Sequence, residues 1–201
     1  MSLSTVDQIA PLEAPHTALL VMDYQAGIVA RVPQADQLVE RARAAIDLVR
    51  DWGGQVGYVR VAFEDEDYDV PDSSRMGASL RGSGQAFHAD SPTTAIDERV
   101  APAVGDVVVR KTRVGAFSTT DLHDQLQDVG VDTLVLAGIS TSGVVLSTVI
   151  EAHDLDYRVF VLADGCADTD AEVHAFLLEK ILPRRADVIT LAELAAILSR
   201  R

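Results

Sequence analysis

The stretch Thr17-Ala-Leu-Leu-Val-Met22, followed at once by Asp23-Tyr24-Gln25, decides how this chain folds. The first six residues show no alternation of apolar and polar side chains, which is typical of a strand buried on both faces. Such strands occur in parallel sheets that are covered by helices on both sides. In open parallel sheets, ligands bind beyond the carboxyl ends of the strands, so Asp23 lies where a site is expected.

The same unit, an apolar run followed by a turn and a helix-period segment, recurs along the rest of the chain. The pattern predicts six strands at 17–22, 56–63, 106–110, 133–137, 158–163 and 187–190. It predicts helices at 37–52, 120–129, 141–154 and 171–182, with a last one running to the C terminus. Strands that alternate with helices indicate βαβ units, and hence an α/β fold with a mostly parallel sheet.

Composition limits the function classes. The 201 residues are 48% hydrophobic and 24% charged, so we expect one globular domain spanning 1–201. The net charge of −14 repels phosphate backbones and anionic lipid, which argues against nucleic acid and membrane as partners. No apolar run approaches the roughly 18 residues of a membrane span, and no secretory signal is visible. Together with a single cysteine, Cys166, these features predict a cytoplasmic protein.

The segment 64–104 departs from the regular alternation. It is rich in Asp, Ser, Gly and Pro and is too long to be a simple connection between two elements. Long segments of this kind in compact domains are usually functional. We expect a loop that acts as a lid or an interface, with a solvated acidic loop as the alternative.

Two charged residues directly follow predicted buried strands. Asp23 ends the first strand and Lys111 ends the third. Because burial of an isolated charge is costly, the two side chains should form a mostly buried pair at one edge of the sheet. Such a pair is either catalytic or a structural ion pair, and the spacing alone does not separate these alternatives. A tight turn at 138–143 follows the fourth strand, and its first helical amides would favour a developing negative charge.

Four ordered motifs make the pattern specific. They are Leu19-Leu-Val-Met-Asp23-Tyr-Gln25, Gly105-Asp-Val-Val-Val-Arg-Lys111-Thr-Arg113-Val-Gly-Ala-Phe117, Leu134-Val-Leu-Ala-Gly-Ile-Ser-Thr141 and Thr148-Val-Ile-Glu-Ala-His-Asp-Leu-Asp-Tyr-Arg-Val159. With them the chain resembles the isochorismatase-like hydrolases, also called the cysteine hydrolase superfamily, from Ala18 to about Leu191. The resemblance implies a three-layer αβα sandwich whose six-stranded parallel sheet has the order 3-2-1-4-5-6.

The resemblance also implies a site. Asp23 takes the place of the family's general acid or base, and Lys111 that of its lysine. The peptide bond between Ile139 and Ser140 is expected to be cis. The family's nucleophilic cysteine falls at Val144, in the first helical turn and facing Asp23. The residues expected to bind an oxyanion or the substrate are Ile139, Ser140, Gly143, Arg113, Gln25 and Phe117.

Val144 makes the chain atypical, because valine offers no lone pair for covalent catalysis. Cys166 follows another strand, and a lone buried cysteine usually packs as a small hydrophobe. No metal or other cofactor is expected, because the stretch 63–68 lacks the histidine that the metal-binding nicotinamidases of the family carry there. Arg113 is suited to hold a carboxylate of the substrate.

Three hypotheses follow. The first is a hydrolase of a small carboxylate, vinyl ether or amide that uses Asp23 and Lys111 without a cysteine nucleophile. The second is a homologue without catalysis that serves as a binding or assembly module. The third is an amidase with a displaced nucleophile. The resemblance further implies a small-molecule substrate and a homodimer or homotetramer.

Overall fold

A six-stranded sheet forms the centre of the fold, with the strand order β3-β2-β1-β4-β5-β6. The computed structural model describes residues 9–71 and 73–200. All neighbouring strands pair in parallel, so the predicted sheet and its order are confirmed. The strands are β1 (Thr17–Met22), β2 (Gln55–Val61), β3 (Val107–Lys111), β4 (Thr133–Ile139), β5 (Arg158–Ala167) and β6 (Asp187–Ile189).

Helices cover both faces of the sheet. Successive residues of β1 point to opposite sides: Leu19 and Val21 belong to one hydrophobic cluster, and Leu20 and Met22 to another. The first cluster includes residues of α2 and α7, and the second includes residues of α4 and α5. The helices are α1 (Ala26–Val29), α2 (Ala35–Trp52), α3 (Arg75–Ser83), α4 (Leu122–Asp128), α5 (Leu146–Asp154), α6 (Ala171–Phe176) and α7 (Leu191–Leu198). The result is the expected three-layer sandwich.

Several boundaries differ from those predicted. The predicted helices at 141–154 and 171–182 each contain a π-helical turn, Thr141–Val145 before α5 and Leu177–Ile181 after α6. Strand β5 continues to Ala167, beyond the predicted end, because a register shift against β4 lets it pair again after Asp164-Gly165. Among the described residues, none of the helices has the length and apolar character needed to cross a bilayer.

The segment 64–104 is not a structureless loop, contrary to the sequence-based expectation. It contains α3, whose start is capped by the Ser74 hydroxyl, which accepts the Gly77 N–H at 2.9 Å. It also contains 3₁₀ turns at Asp65–Tyr68, Pro92–Thr94 and Glu98–Val100. A small hydrophobic cluster of Phe63, Val70 and Leu80 fastens α3 beside the carboxyl ends of β1 and β2.

Candidate active site

A pocket of about 300 Å³ opens at the carboxyl edge of the sheet, where strand order reverses between β1 and β4. Asp23 and Lys111 reach it from the ends of β1 and β3, and the turn after β4 forms another wall. Helix α3 and its neighbours in segment 64–104 form the remaining wall. The lining residues are Asp23, Ile28, Val61, Phe63, Met76, Ser79, Leu80, Phe87, Lys111, Arg113, Val114, Ile139, Ser140, Gly143 and Val144.

Asp23 and Lys111 form the predicted buried ion pair. The Lys111 Nζ lies 2.8 Å from Asp23 Oδ2, and the two residues are only 2% and 5% exposed. The ammonium also donates to the Val114 carbonyl at 2.6 Å. Asp23 has a left-handed backbone with φ of 59°, which is uncommon for a residue other than glycine and concentrates at functional sites. The predicted placement of the pair is therefore confirmed.

The two carboxylate oxygens of Asp23 differ in their surroundings. Oδ1 is buried and has no hydrogen-bond partner within the described part of the chain. Burial raises the pKa of Asp23 to about 6, although Lys111 opposes the shift. A carboxyl group with this pKa can exist as an acid or as a base near neutral pH. The arrangement thus places one buried carboxyl group, Asp23, in the wall of a pocket, where it can give or take a proton while Lys111 binds its Oδ2.

The turn after β4 has the predicted features. The peptide bond between Ile139 and Ser140 is cis, as expected. Val144 lies in the π-helical turn, is 2% exposed, and lines the same pocket as Asp23. The Gly143 N–H donates to Ser140 Oγ at 3.1 Å, so this amide is engaged within the turn rather than directed at a ligand. Of the three turn residues expected to bind an oxyanion, all reach the pocket, and the Gly143 amide is already used.

The turn is also held from outside the pocket. The Ser142 N–H donates to Asp168 Oδ2 at 2.8 Å, and Thr141 Oγ1 lies 2.8 Å from His174 Nδ1.

Arg113 sits at the exposed mouth of the pocket, where its Nη1 donates to the neighbouring carbonyl of Thr112 at 2.7 Å. Arg113 thus lines the pocket, and its role in binding the substrate stays a prediction.

Gln25 does not line the pocket, so its predicted contact with substrate has no support from this structure. Its side chain is 1% exposed and fully engaged: Nε2 donates to the carbonyls of Val61 and Thr94 at 2.9 and 2.8 Å. Its Oε1 accepts the Val61 N–H at 2.8 Å. Gln25 therefore ties the end of β1 to β2 and to the segment 64–104.

We expect the Gln25→Ala variant to lose roughly 2–4 kcal/mol of unfolding free energy, because three buried hydrogen bonds disappear together. Urea denaturation would measure the loss. Gln37→Ala, at an exposed position of α2, is the matched control and should change stability little. Equal stability of the two variants would contradict the structural role of Gln25.

Phe117 is also outside the pocket, contrary to the prediction. Its ring stacks on Tyr157 with a centroid distance of 5.8 Å and meets the edge of His123. Phe117 is buried in the cluster on the α4 and α5 face of the sheet. An aromatic side chain is common in a binding site, but the loop that carries Phe117 folds back onto α5 instead.

Cys166 occupies a different part of the molecule. It is buried in β5, its thiol faces the Leu136 carbonyl at 3.8 Å, and burial raises the pKa of the thiol to about 12. It borders a separate cavity of about 480 Å³ near Asp168 and His174. This thiol has neither the position nor the acidity of a nucleophile for the Asp23 pocket.

Sequence reasoning missed the apolar wall that α3 and its neighbours contribute. Met76 and Leu80, four residues apart, lie on one face of α3, and that spacing was the available signal. In residues 9–71 and 73–200, no group of three or more His, Cys, Asp or Glu side chains is arranged to hold a metal ion.

Comparison with known proteins agrees with this architecture. The family description "Isochorismatase domain" matches residues 17–193. The chain belongs to the isochorismatase family. It is therefore an isochorismatase-like hydrolase, and the fold and the family predicted from the sequence are confirmed.

Three members of the family illustrate the similarity. An uncharacterized isochorismatase family protein of Bacillus subtilis, YwoC, is 35% identical, covering 86% of this chain and 89% of that protein. Maleamate amidohydrolase of Pseudomonas putida is 31% identical over 86% of this chain and 82% of the enzyme. A solved isochorismatase family protein of Burkholderia thailandensis superposes with a TM-score of 0.82 at 29% identity, covering 94% of this chain and 99% of the other.

Proposed function

We propose that the protein hydrolyses a small vinyl ether that carries a carboxylate, with Asp23 as general acid and without a cysteine nucleophile. The observation that carries this proposal is the buried Asp23 in the wall of an open pocket, with one carboxylate oxygen paired to Lys111 and the other without a hydrogen-bond partner among the described residues. A nearly neutral pKa makes the protonated form available under ordinary conditions. Val144, at the position expected for a nucleophile, has no group that can form a covalent intermediate.

The reaction balances with one water molecule. Asp23 gives its proton to the terminal carbon of the enol ether, which leaves a cation stabilised by the ether oxygen. Water adds to that cation and loses a proton to the Asp23 carboxylate. The resulting hemiketal breaks the bond between its carbon and the former ether oxygen, the proton of the new hydroxyl group passes to that oxygen, and an alcohol and a keto acid are released.

Lys111 acts as the charge partner in this scheme. Proton transfer turns Asp23 into a carboxylate in a buried site, where an isolated negative charge is unfavourable. The ammonium at 2.8 Å stabilises that charge, and the Val114 carbonyl holds the ammonium in place. Arg113, at the mouth, is placed to attract the carboxylate of the substrate.

The pocket itself favours an enzyme over a binding or assembly module. In a homologue without catalysis, we would expect Val144 and its neighbours to fill the space beside Asp23. Instead about 300 Å³ remains open, with both charged residues in its wall. A volume of this size suits a small-molecule substrate.

Amide hydrolysis is the second candidate reaction. It is supported by the similarity to maleamate amidohydrolase, whose name describes action on an amide. With no thiol in the pocket, Asp23 would then act as a general base that activates water. A displaced cysteine nucleophile is not supported, because Cys166 is buried outside this pocket.

Three further expectations complete the proposal. Segment 64–104 serves as the wall or lid of the pocket, which is supported by the four lining residues Met76, Ser79, Leu80 and Phe87. The resemblance to the family supports a homodimer or homotetramer. Composition supports the cytoplasm as the location.

The decisive experiment is a substrate screen on the wild type and Asp23→Asn side by side. The panel contains carboxylated vinyl ethers, amides and carbamoyl compounds. We expect turnover of a vinyl ether by the wild type that is strongly reduced in the variant. Turnover of an amide alone would select the second reaction, and the absence of turnover across the panel would favour the binding module.

We also expect thiol reagents to leave activity largely intact. Cys166 is the only cysteine of the chain, and it is buried with a raised pKa. Val144→Cys is the contrasting variant: it places a thiol in the first helical turn beside Asp23 and should make the enzyme sensitive to iodoacetamide. Complete inactivation of the wild type, with labelling at Cys166 and protection by substrate, would contradict the proposal.

A further inference from the structure

The loop that links β3 to α4 is fastened from the outside by α5. Thr148 Oγ1 accepts the Ala116 N–H at 3.2 Å, and Glu151 Oε2 accepts the Phe117 N–H at 3.0 Å. The Glu151 carboxylate also lies against the backbone of Gly115, where a Cβ atom would come within 2.2–2.4 Å of it. Two side chains of one helix thus fix three consecutive residues of the loop.

The loop held in this way carries a hydrogen-bond partner of Lys111 and two residues that line the pocket. The carbonyl of Val114, directly before Gly115, accepts a hydrogen bond from Lys111 Nζ at 2.6 Å. Arg113 and Val114 both line the pocket. Lys111 therefore has two anchors, Asp23 on β1 and the Val114 carbonyl on the loop. The position of the Val114 carbonyl, and with it that of the Lys111 ammonium, depends on how rigidly the loop is held.

We propose that Glu151 is a positioning residue for the Asp23–Lys111 pair, acting through Gly115 and the Val114 carbonyl. Glu151 is not among the residues that line the pocket and does not itself meet the substrate. It holds the carbonyl that keeps the lysine ammonium beside the Asp23 carboxylate. Its effect on turnover rests on the function proposed above, whereas its effect on the ion pair does not.

Gly115 is part of the same contact between the loop and α5. Any side chain at this position would meet the Glu151 carboxylate at less than 3.0 Å, so either the loop or the glutamate would have to move. Only glycine allows the carboxylate to approach the backbone this closely. The motif residues Gly115 and Glu151, 36 positions apart, are therefore complementary parts of one contact.

Removal of the Glu151 side chain should change the proton affinity of Asp23. The charged groups that share the pocket with Asp23 are Lys111 on β3 and Arg113 on the loop. When the Val114 carbonyl moves away, Lys111 is held less closely and opposes the burial of Asp23 less effectively. The pKa of Asp23 should then rise further above its ordinary range.

The test is a carbon-13 NMR titration of the Asp23 carboxyl group in the full protein, assigned by comparison with Asp23→Asn. We expect Glu151→Ala to raise the titration midpoint by roughly half a pH unit or more. Glu151→Gln keeps an acceptor for the Phe117 N–H and should titrate like the wild type. On a substrate found in the screen, Glu151→Ala should lower kcat/KM by roughly 10–100-fold, mainly through kcat, and Glu151→Gln should retain most of it.

Matched controls separate positioning from a general loss of charge or stability. Asp154→Ala and Asp154→Asn remove an exposed carboxylate from the same helix and should not move the midpoint. If Glu151→Ala folds poorly, Thr148→Val removes the neighbouring acceptor while keeping the side-chain shape, and we expect an upward shift there too.

The outcomes are distinct. An unchanged midpoint in a folded Glu151→Ala would overturn the positioning role and, if that variant does not fold, so would an unchanged midpoint in Thr148→Val. A downward shift shared by Glu151→Ala and Glu151→Gln would also overturn it, because it would indicate only the loss of a nearby negative charge. An upward shift in a protein that turns over no substrate would support the positioning role and count against the proposed function instead.

Discussion

Asp23→Asn is expected to lower kcat/KM by roughly 10²–10⁴-fold, the range typical of a lost general acid or base. Asparagine has nearly the same shape, and its carbonyl oxygen can still accept from Lys111, so the pocket should keep its form. It carries no titratable proton to give to the substrate. Steady-state kinetics on wild type and variant, together with urea denaturation to show that both fold, would measure the effect.

The pH dependence identifies the direction of proton transfer. Because the pKa of Asp23 is about 6 in the protein without substrate, an acid role predicts that kcat/KM of the wild type falls as pH rises through 6. A base role predicts the reverse, a rise through the same pH. The residual activity of Asp23→Asn should not show this change of kcat/KM near pH 6, whereas Asp154→Asn, the exposed control, should still show it. Full activity of Asp23→Asn would exclude both roles.

The sheet and the ion pair were predictable because short-range patterns specify them. An apolar run without alternation marks a strand buried on both faces, and β1 shows all six residues buried. Once the strands are parallel, residues that follow their carboxyl ends meet at one edge. Asp23 and Lys111 are 88 positions apart, yet the topology alone brings them together, and the penalty for burying one charge implies the other.

The direction of loop side chains was not predictable in the same way. Gln25 and Phe117 belong to motifs next to the site, but their side chains turn toward β2 and toward Tyr157. Their orientation depends on partners such as Thr94 that are distant in sequence. Helix α3 was missed for a related reason: its glycines and serines lower the local helix signal, and packing onto Phe63 stabilises it.

Lys111→Met is expected to destabilise the protein by about 3–5 kcal/mol at alkaline pH, because it leaves a buried carboxylate without a partner. Methionine keeps the length and apolar stem of the lysine, so the loss reports mainly on charge. At pH 5 the effect should be much smaller, since Asp23 can bind a proton and become neutral. Urea denaturation at pH 5 and pH 8 would measure both values.

The direction in which stability changes with pH follows from proton binding by Asp23. A carboxyl whose pKa is raised by folding binds its proton more tightly in the folded state, so its contribution to stability is present at low pH and is lost as pH rises through the folded pKa. In the wild type that loss builds up from the ordinary carboxyl pKa of 3.8 and is nearly complete at the folded pKa of about 6. Without Lys111 the folded pKa of Asp23 rises further, which makes the loss larger and extends it to higher pH.

The double variant Asp23→Asn/Lys111→Met completes the argument, because it removes both buried charges. It should recover most of the stability that Lys111→Met loses at pH 8, while remaining as inactive as Asp23→Asn. Recovery of stability without activity would assign the pair to function rather than to folding, since replacing buried ion pairs by neutral groups is often neutral for stability. An equal loss for Lys111→Met at pH 5 and pH 8, unrelieved by the second substitution, would instead show that Lys111 contributes through packing alone.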